Sequence, residues 1–277
     1  MKTFGFVGFG SMANMLIGNL MQYAGVNPRE IGVTRKDSTR LEEISARYPG
    51  VQVYQTCREV AQNAQVLFVC VKPAEVRQVL TEMEPVLTES THVISLAGTV
   101  SLANLQWILK GKVSKFMPTI CSQTGGGISL LCHNSLVGEE DAAFIETTIG
   151  SFSKVKRVDD SDIGFAAELT SCAPGFIASM FQHFSQTALH HTSSFGAEEV
   201  NDMVMQTLYA TGEMLVETGM SFEQAVSRVA TKGGITQEGV AVFDNRLPEI
   251  FDEMFAKTLG KRKLVEERIN RDFRDAQ

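Results

Sequence analysis

Three observations predict the fold class. In the first half of the sequence, short apolar runs alternate with helical patterns, which implies βαβ units and a parallel sheet with right-handed crossovers. From Ile163 onward the apolar spacing is helical almost throughout. A glycine-rich turn joins the first strand to the first helix. The prediction is an α/β Rossmann-type N-terminal domain, residues 1–159, followed by an all-α domain, residues 160–277. The break falls at Asp159-Asp160-Ser161-Asp162, a polar cluster suited to a helix start.

Phe4–Val7 reads as the first strand and Ser11–Tyr23 as the helix after it, with Ile31–Thr34 as a second strand. Val66–Val71 is apolar at every position, as a strand covered on both faces requires, and Val93–Leu96 repeats that character. Lys115–Met117, Gly127–Leu131 and Val155–Val158 are weaker strands. Gly175–His191, Ala197–Thr218, Ser221–Ala230 and Leu247–Asp275 read as helices, and Ser221 forms a capping box with Gln224. Such long helices would leave large apolar faces uncovered in a monomer, so the all-α part is expected to form oligomers; the family resemblance given below makes it a dimerisation domain.

The 277 residues carry a net charge of −7 and no long basic run, which argues against nucleic acid and anionic membranes as partners. No uninterrupted apolar run approaches the length of a membrane span, and the N-terminus leads into a strand instead of a signal peptide. Cys57, Cys70, Cys121, Cys132 and Cys172 are scattered and show no C-x-x-C spacing. Neither a zinc site nor a disulfide framework is expected, and a reducing cytoplasm fits. His183, His190 and His191 have no carboxylate at ligand spacing, so no metal is expected there either. Lys261-Arg262-Lys263 reads as a solvated helix face.

Gly8-x-Gly10-x-x-Ala13, with Ser11 and Met12 between, follows a strand and opens a helix. Gly8 permits the tight turn, Gly10 lets the backbone approach a pyrophosphate, and the small Ala13 lets helix and sheet pack closely. The helix N-terminus adds amide donors and a favourable dipole for the anion. The second strand ends Val33-Thr34-Arg35-Lys36-Asp37-Ser38, without the carboxylate that holds a free ribose in NAD sites. Hydroxyls and two cations suit a 2′-phosphate, so Thr34, Arg35 and Lys36 point to NADPH, with NADH as the alternative. Val71-Lys72-Pro73 and Ala97-Gly98-Thr99 stand at strand C-termini, where open α/β sheets bind ligands; Ala97 and Gly98 would let the nicotinamide approach closely.

With these pieces in order, the chain resembles the pyrroline-5-carboxylate reductase family from the first strand to the last helix. The resemblance rests on Gly8–Ala13, Val69-Cys70-Val71-Lys72-Pro73, Ser95-Leu96-Ala97-Gly98 and Leu169–Phe176, then on Gln206–Leu215 and Val229–Thr236. It implies NAD(P)H-dependent reduction of a cyclic imino acid, 1-pyrroline-5-carboxylate to L-proline, by a homodimer or larger assembly of dimers. It also implies a substrate loop of form Ser/Thr-Pro-Gly-Gly-x-Thr contributed across the dimer. That loop maps onto Thr231, Lys232, Gly233, Gly234, Ile235 and Thr236. The resemblance makes Thr231 and Thr236 the catalytic hydroxyls and the four residues between them the substrate contacts. Glycine amides opening a helix suit a carboxylate, and Thr236 can hydrogen-bond the ring nitrogen.

The chain departs from the family pattern at Lys232, Ile235, Thr119, Cys172 and Cys57. These changes bear on the substrate more than on the cofactor. They leave two alternatives: a relative acting on another cyclic imine, or one that binds NADPH as a sensor without turnover. A β-hydroxyacid dehydrogenase would need an Asp-x-Pro-Val-Ser-Gly-Gly segment and a lysine in a Gly-rich helix, and neither is present.

Overall fold

The computed structural model describes residues 2–37 and 41–275. Ser38, at the end of the proposed 2′-phosphate loop, lies outside the described residues. The strands are β1 (Phe4–Val7), β2 (Ile31–Thr34), β3 (Gln52–Val53), β4 (Val66–Val69), β5 (His92–Ser95), β6 (Lys112–Met117), β7 (Ile128–His133) and β8 (Lys154–Arg157). The helices between them are α1 (Ser11–Gln22), α2 (Leu41–Arg47), α3 (Cys57–Asn63), α4 (Pro73–Met83), α5 (Leu102–Ile108) and α6 (Glu139–Gly150).

The sheet runs β3-β2-β1-β4-β5-β6-β7-β8. Its first six strands are parallel in the order that places a topological switch between β1 and β4, where the register sets Phe6 against Phe68 and Val7 against Val69. The uniform parallel sheet expected from alternation needs one correction: β7 runs antiparallel to β6, pairing Phe116 with Leu131. A short connection through residues 118–127 cannot carry a crossover helix, so the strand returns directly. Both faces are covered. Phe4, Phe6, Leu16, Ile17, Leu20, Phe116 and Phe152 fill one side. Leu67, Leu80, Met83, Leu105, Leu130, Ile269 and Phe273 fill the other.

The helical part comprises α7 (Ile163–Ala167), a π-turn at Glu168–Cys172, α8 (Ala173–Ala188), α9 (Ala197–Thr218), α10 (Phe222–Val229) and α11 (Ile235–Arg274). The compact units divide elsewhere than 159/160. One runs to Pro174 and resumes at Lys261; the other is Gly175–Gly260. Ile163, Ala167, Ile269 and Phe273 are all buried in the sheet's own core, which is why the first unit claims them. The polar cluster does open a helix, with Asp162 as the N-cap of α7, while Asp160 Oδ2 accepts the N–H of Leu102, the first residue of α5, at 2.9 Å. The last helix, expected to begin at Leu247, begins at Ile235 and passes through Pro248 without a break.

The helical run Ile163–His191 is long and apolar enough to cross a membrane by length and composition, with a mean hydropathy of 1.2. The sequence expectation concerned uninterrupted apolar runs, and polar residues interrupt this one. Helical order joins apolar clusters separated by Ser, Thr and Gln, and the run carries few charges. In the single chain its Leu169, Ile177, Met180 and Phe184 are exposed. An apolar helix face awaiting a second protein surface has the same composition.

Candidate functional site

The β1–α1 turn gives the site its first wall. Gly8 sits at φ +95, a conformation L-residues rarely adopt, and a Cβ there would lie 2.9 Å from Val71 Cγ1 and 3.0 Å from the Cys70 carbonyl oxygen. The turn is held by Gly8 N–H donating to the Thr34 carbonyl at 3.0 Å. Gly10 is the N-cap of α1 and provides no side-chain cap, so the first-turn amides have no side chain answering them from that position. A Cβ on Gly10 would meet open space. Ser11 is exposed, Met12 half-buried, and Ala13 fully buried against the sheet. An open turn, uncapped amides and a closely packed Ala13 fit a pyrophosphate.

Beside it lies a cleft of about 220 Å³ lined by Gly8, Thr34, Arg35, Lys36, Cys57, Val71 and Glu75, among others. The structure thus brings together residues that the sequence spreads over its first 75 positions. Thr34 is buried, while Arg35 lies 3.7 Å from Glu43 and Lys36 lies 3.4 Å from Glu75. Two cations at the end of β2 fit a 2′-phosphate, and their present carboxylate partners are exposed enough to give way to one.

Cys57 opens α3 in the same cleft. Burial, reinforced by Glu82, pushes its thiol up to about 12, so it lines the wall as a neutral group. Lys72 is exposed, caps α4 through its backbone, and donates that N–H to Glu75 Oε2 at 3.3 Å; Pro73 follows as the first helical residue.

The strands past the switch point carry the other end. Ala97 is buried after β5, and its N–H donates to Ser95 Oγ at 3.3 Å. Gly98 follows, with Met117 of β6 over it: a Cβ on Gly98 would lie 2.6 Å from Met117 Sδ. Thr119, where the family pattern has another residue, is buried and caps a short 3-10 turn. Ser171 Oγ donates to the Pro118 carbonyl at 2.9 Å, tying the π-turn to the end of β6. Arg262 corrects the reading of its segment as a solvated face, since its side chain is 15% exposed and pairs with Glu168 at 3%. No motif marks that pair; only the docking of the last helix brings it to the sheet.

The loop from Thr231 to Thr236 belongs to the second unit. Thr231, Lys232 and Gly233 are exposed, Gly234 is half-buried, and Ile235 is 95% exposed. Gly234 donates its N–H to the Thr231 carbonyl at 2.9 Å, and a Cβ there would lie 2.8 Å from Thr231 Oγ1. Gly233 donates to Gln237 Oε1 at 2.7 Å, a partner the sequence motif did not include. Thr236 stands in the first turn of α11, beside amides no helical carbonyl can satisfy.

Sheet order, phosphate turn and cationic cleft define a Rossmann-type nucleotide-binding protein with a helical second part. Residues 3–98 match the family model described as NADP oxidoreductase coenzyme F420-dependent, and residues 160–264 match the one described as pyrroline-5-carboxylate reductase dimerisation. The chain is 35% identical to pyrroline-5-carboxylate reductase 3 of Bacillus subtilis, over 98% of this chain and 99% of that one. ComE operon protein 4 of the same organism is 24% identical over 92% and 93%. A solved pyrroline-5-carboxylate reductase from Coxiella burnetii superposes with a TM-score of 0.85 at 25% identity, covering 95% of this chain and 98% of that one. The chain belongs to the pyrroline-5-carboxylate reductase family.

Proposed function

We propose that this protein reduces 1-pyrroline-5-carboxylate to L-proline with NADPH, as a homodimer in the cytoplasm. The observation that carries the reading is the 35% identity to a named pyrroline-5-carboxylate reductase along essentially the whole of both chains. When bound, NADPH supplies the hydride. Gly8, Gly10, Ser11, Met12 and Ala13 hold the pyrophosphate, and Thr34, Arg35 and Lys36 hold the 2′-phosphate. Val71, Lys72 and Pro73 flank the cleft. Ala97 and Gly98 leave room for the nicotinamide.

The loop comes from the partner subunit. Gly233 and Gly234 offer amides to the substrate carboxylate, with Lys232 and Ile235 at its rim. Thr236 hydrogen-bonds the ring nitrogen while Thr231 holds the loop's turn. As hydride reaches the imine carbon and the C=N π bond breaks, the nitrogen takes a proton that solvent water supplies through the Thr236 hydroxyl, giving a secondary amine. Orientation supplies much of the rate, because the chemistry needs no further acid or base.

The test compares the wild type with T236A. The expected result is NADPH consumption with pyrroline-5-carboxylate, cut on the order of a hundredfold in T236A with NADPH binding unchanged. A T236A protein as active as the wild type removes Thr236 from the mechanism. A wild type inert on this and other cyclic imines favours a nucleotide-binding sensor.

A further inference from the structure

The two halves of a Rossmann sheet divide the cofactor, with adenosine over the β1–β3 side and the nicotinamide nucleotide over the β4–β6 side. Gly98 lies just past the end of β5 and Met117 ends β6, so they mark the nicotinamide half. The guanidinium of Arg262 reaches this point from the last helix. Its Nη1 lies 3.8 Å from the position of a Cβ on Gly98, and its stem crosses Gly164, where a Cβ would lie 3.1 Å from Arg262 Cδ. Nη2 donates to Glu168 Oε1 at 3.2 Å, which leaves Nη1 toward Gly98.

A buried ion pair normally engages all its donors and acceptors, since each unmet polar atom carries a desolvation cost. Here Arg262 Nε and Glu168 Oε2 are buried without a hydrogen-bond partner among the described residues, and so is Thr99 Oγ1, next to Gly98. Donor and acceptor capacity are both left over. A phosphate or a substrate carboxylate would meet only the donor side and be repelled by Glu168. A primary amide answers both, its carbonyl accepting from the guanidinium and its NH₂ donating to an oxygen.

We propose that Arg262 binds the carboxamide of the nicotinamide ring, with Glu168 as the positioning residue that holds the guanidinium. This rests on the cofactor reading above. The cation would fix the ring's rotation about its glycosidic bond, and with it the face from which hydride leaves.

The test measures binding of NADPH and of 2′,5′-ADP, which keeps the phosphate-binding end and lacks the nicotinamide. Wild type, R262M, R262K and E168Q are compared, with circular dichroism to establish folding. The expected result is about tenfold weaker NADPH binding by R262M with 2′,5′-ADP within about twofold of wild type, and a smaller loss of the same selectivity in E168Q. R262K keeps the cation and the bulk, so it carries the test if R262M fails to fold, and partial retention of NADPH affinity is expected. Equal loss of both ligands, or loss of neither, overturns the assignment. A wild type that binds neither ligand overturns the cofactor reading itself, which separates the two failures.

Discussion

Lys115 Nζ lies 2.6 Å from Asp160 Oδ1, with the lysine side chain 3% exposed and the aspartate 28%. The pair joins the middle of β6 to the segment that leads into the helical part. Its two members are not equivalent. Removing Asp160 strands a cation in the sheet core and takes the acceptor from the Leu102 N–H; removing Lys115 leaves a carboxylate that water already reaches.

The prediction is an asymmetry. D160A should cost about 3–5 kcal/mol of unfolding free energy, and K115M clearly less, about 1–2 kcal/mol. Urea unfolding of the two variants against wild type measures it. Equal losses would show that the cost lies in lost packing and not in an uncompensated charge.

A second prediction concerns acid. His92 Nε2 and His133 Nδ1 both lie 2.6 Å from Ser114 Oγ, and His133 continues toward Glu146, which Arg157 also binds. Burial, then the charge of His133, lowers His92 to about 4; burial, then Arg157, lowers His133. Asp141 opposes the shift on His92, while Lys2 and Lys112 add to it. Both folded values lie below the ordinary 6.5, so the unfolded chain binds more protons in the acid window. Stability should be full above about pH 6.5 and fall toward pH 4, by on the order of 1–3 kcal/mol from His92. Melting temperatures across that range should show a shallower slope for H92Q than for wild type. Parallel slopes would remove His92 as the cause.

Cofactor choice follows from the end of β2. R35S/K36S should weaken NADPH binding by about ten- to a hundredfold and NADH binding by far less. E75Q, which removes the carboxylate 3.4 Å from Lys36, should strengthen NADPH binding slightly. Fluorescence titration of both nucleotides distinguishes this from a general loss, in which the two weaken together.

Self-association is the fourth prediction. In the single chain Met205, Tyr209, Val216 and Phe222 are each at least 65% exposed, too many large apolar groups for a helical surface left in water. Light scattering at micromolar concentration should give twice the chain mass or an even multiple of it. A monomer would contradict a site completed by a partner's loop.

Much of this was readable from residue order because it is local. The β1–α1 turn, the bounds of α9 and the Ser221 capping box depend on neighbours a few residues apart, and the structure has them where expected. The two-residue β3 is too short for any periodicity to show. The direction of β7 depends on what its connection can span. The last helix was expected from Leu247, yet α11 already begins at Ile235, because the glycine-rich turn before it ends at Gly234. The Arg262–Glu168 and His92–Ser114–His133 contacts escaped notice because each joins segments that only tertiary packing makes neighbours.

The proposed function stands on hydride transfer from the cofactor to a cyclic imine carbon. Its most direct measurement uses NADPH deuterated at the transferring position, with pyrroline-5-carboxylate, and examines the product by mass spectrometry and NMR. L-proline should carry deuterium at the former imine carbon, in step with the NADPH consumed. NADPH that binds but is not consumed, or proline formed without the label, would contradict it.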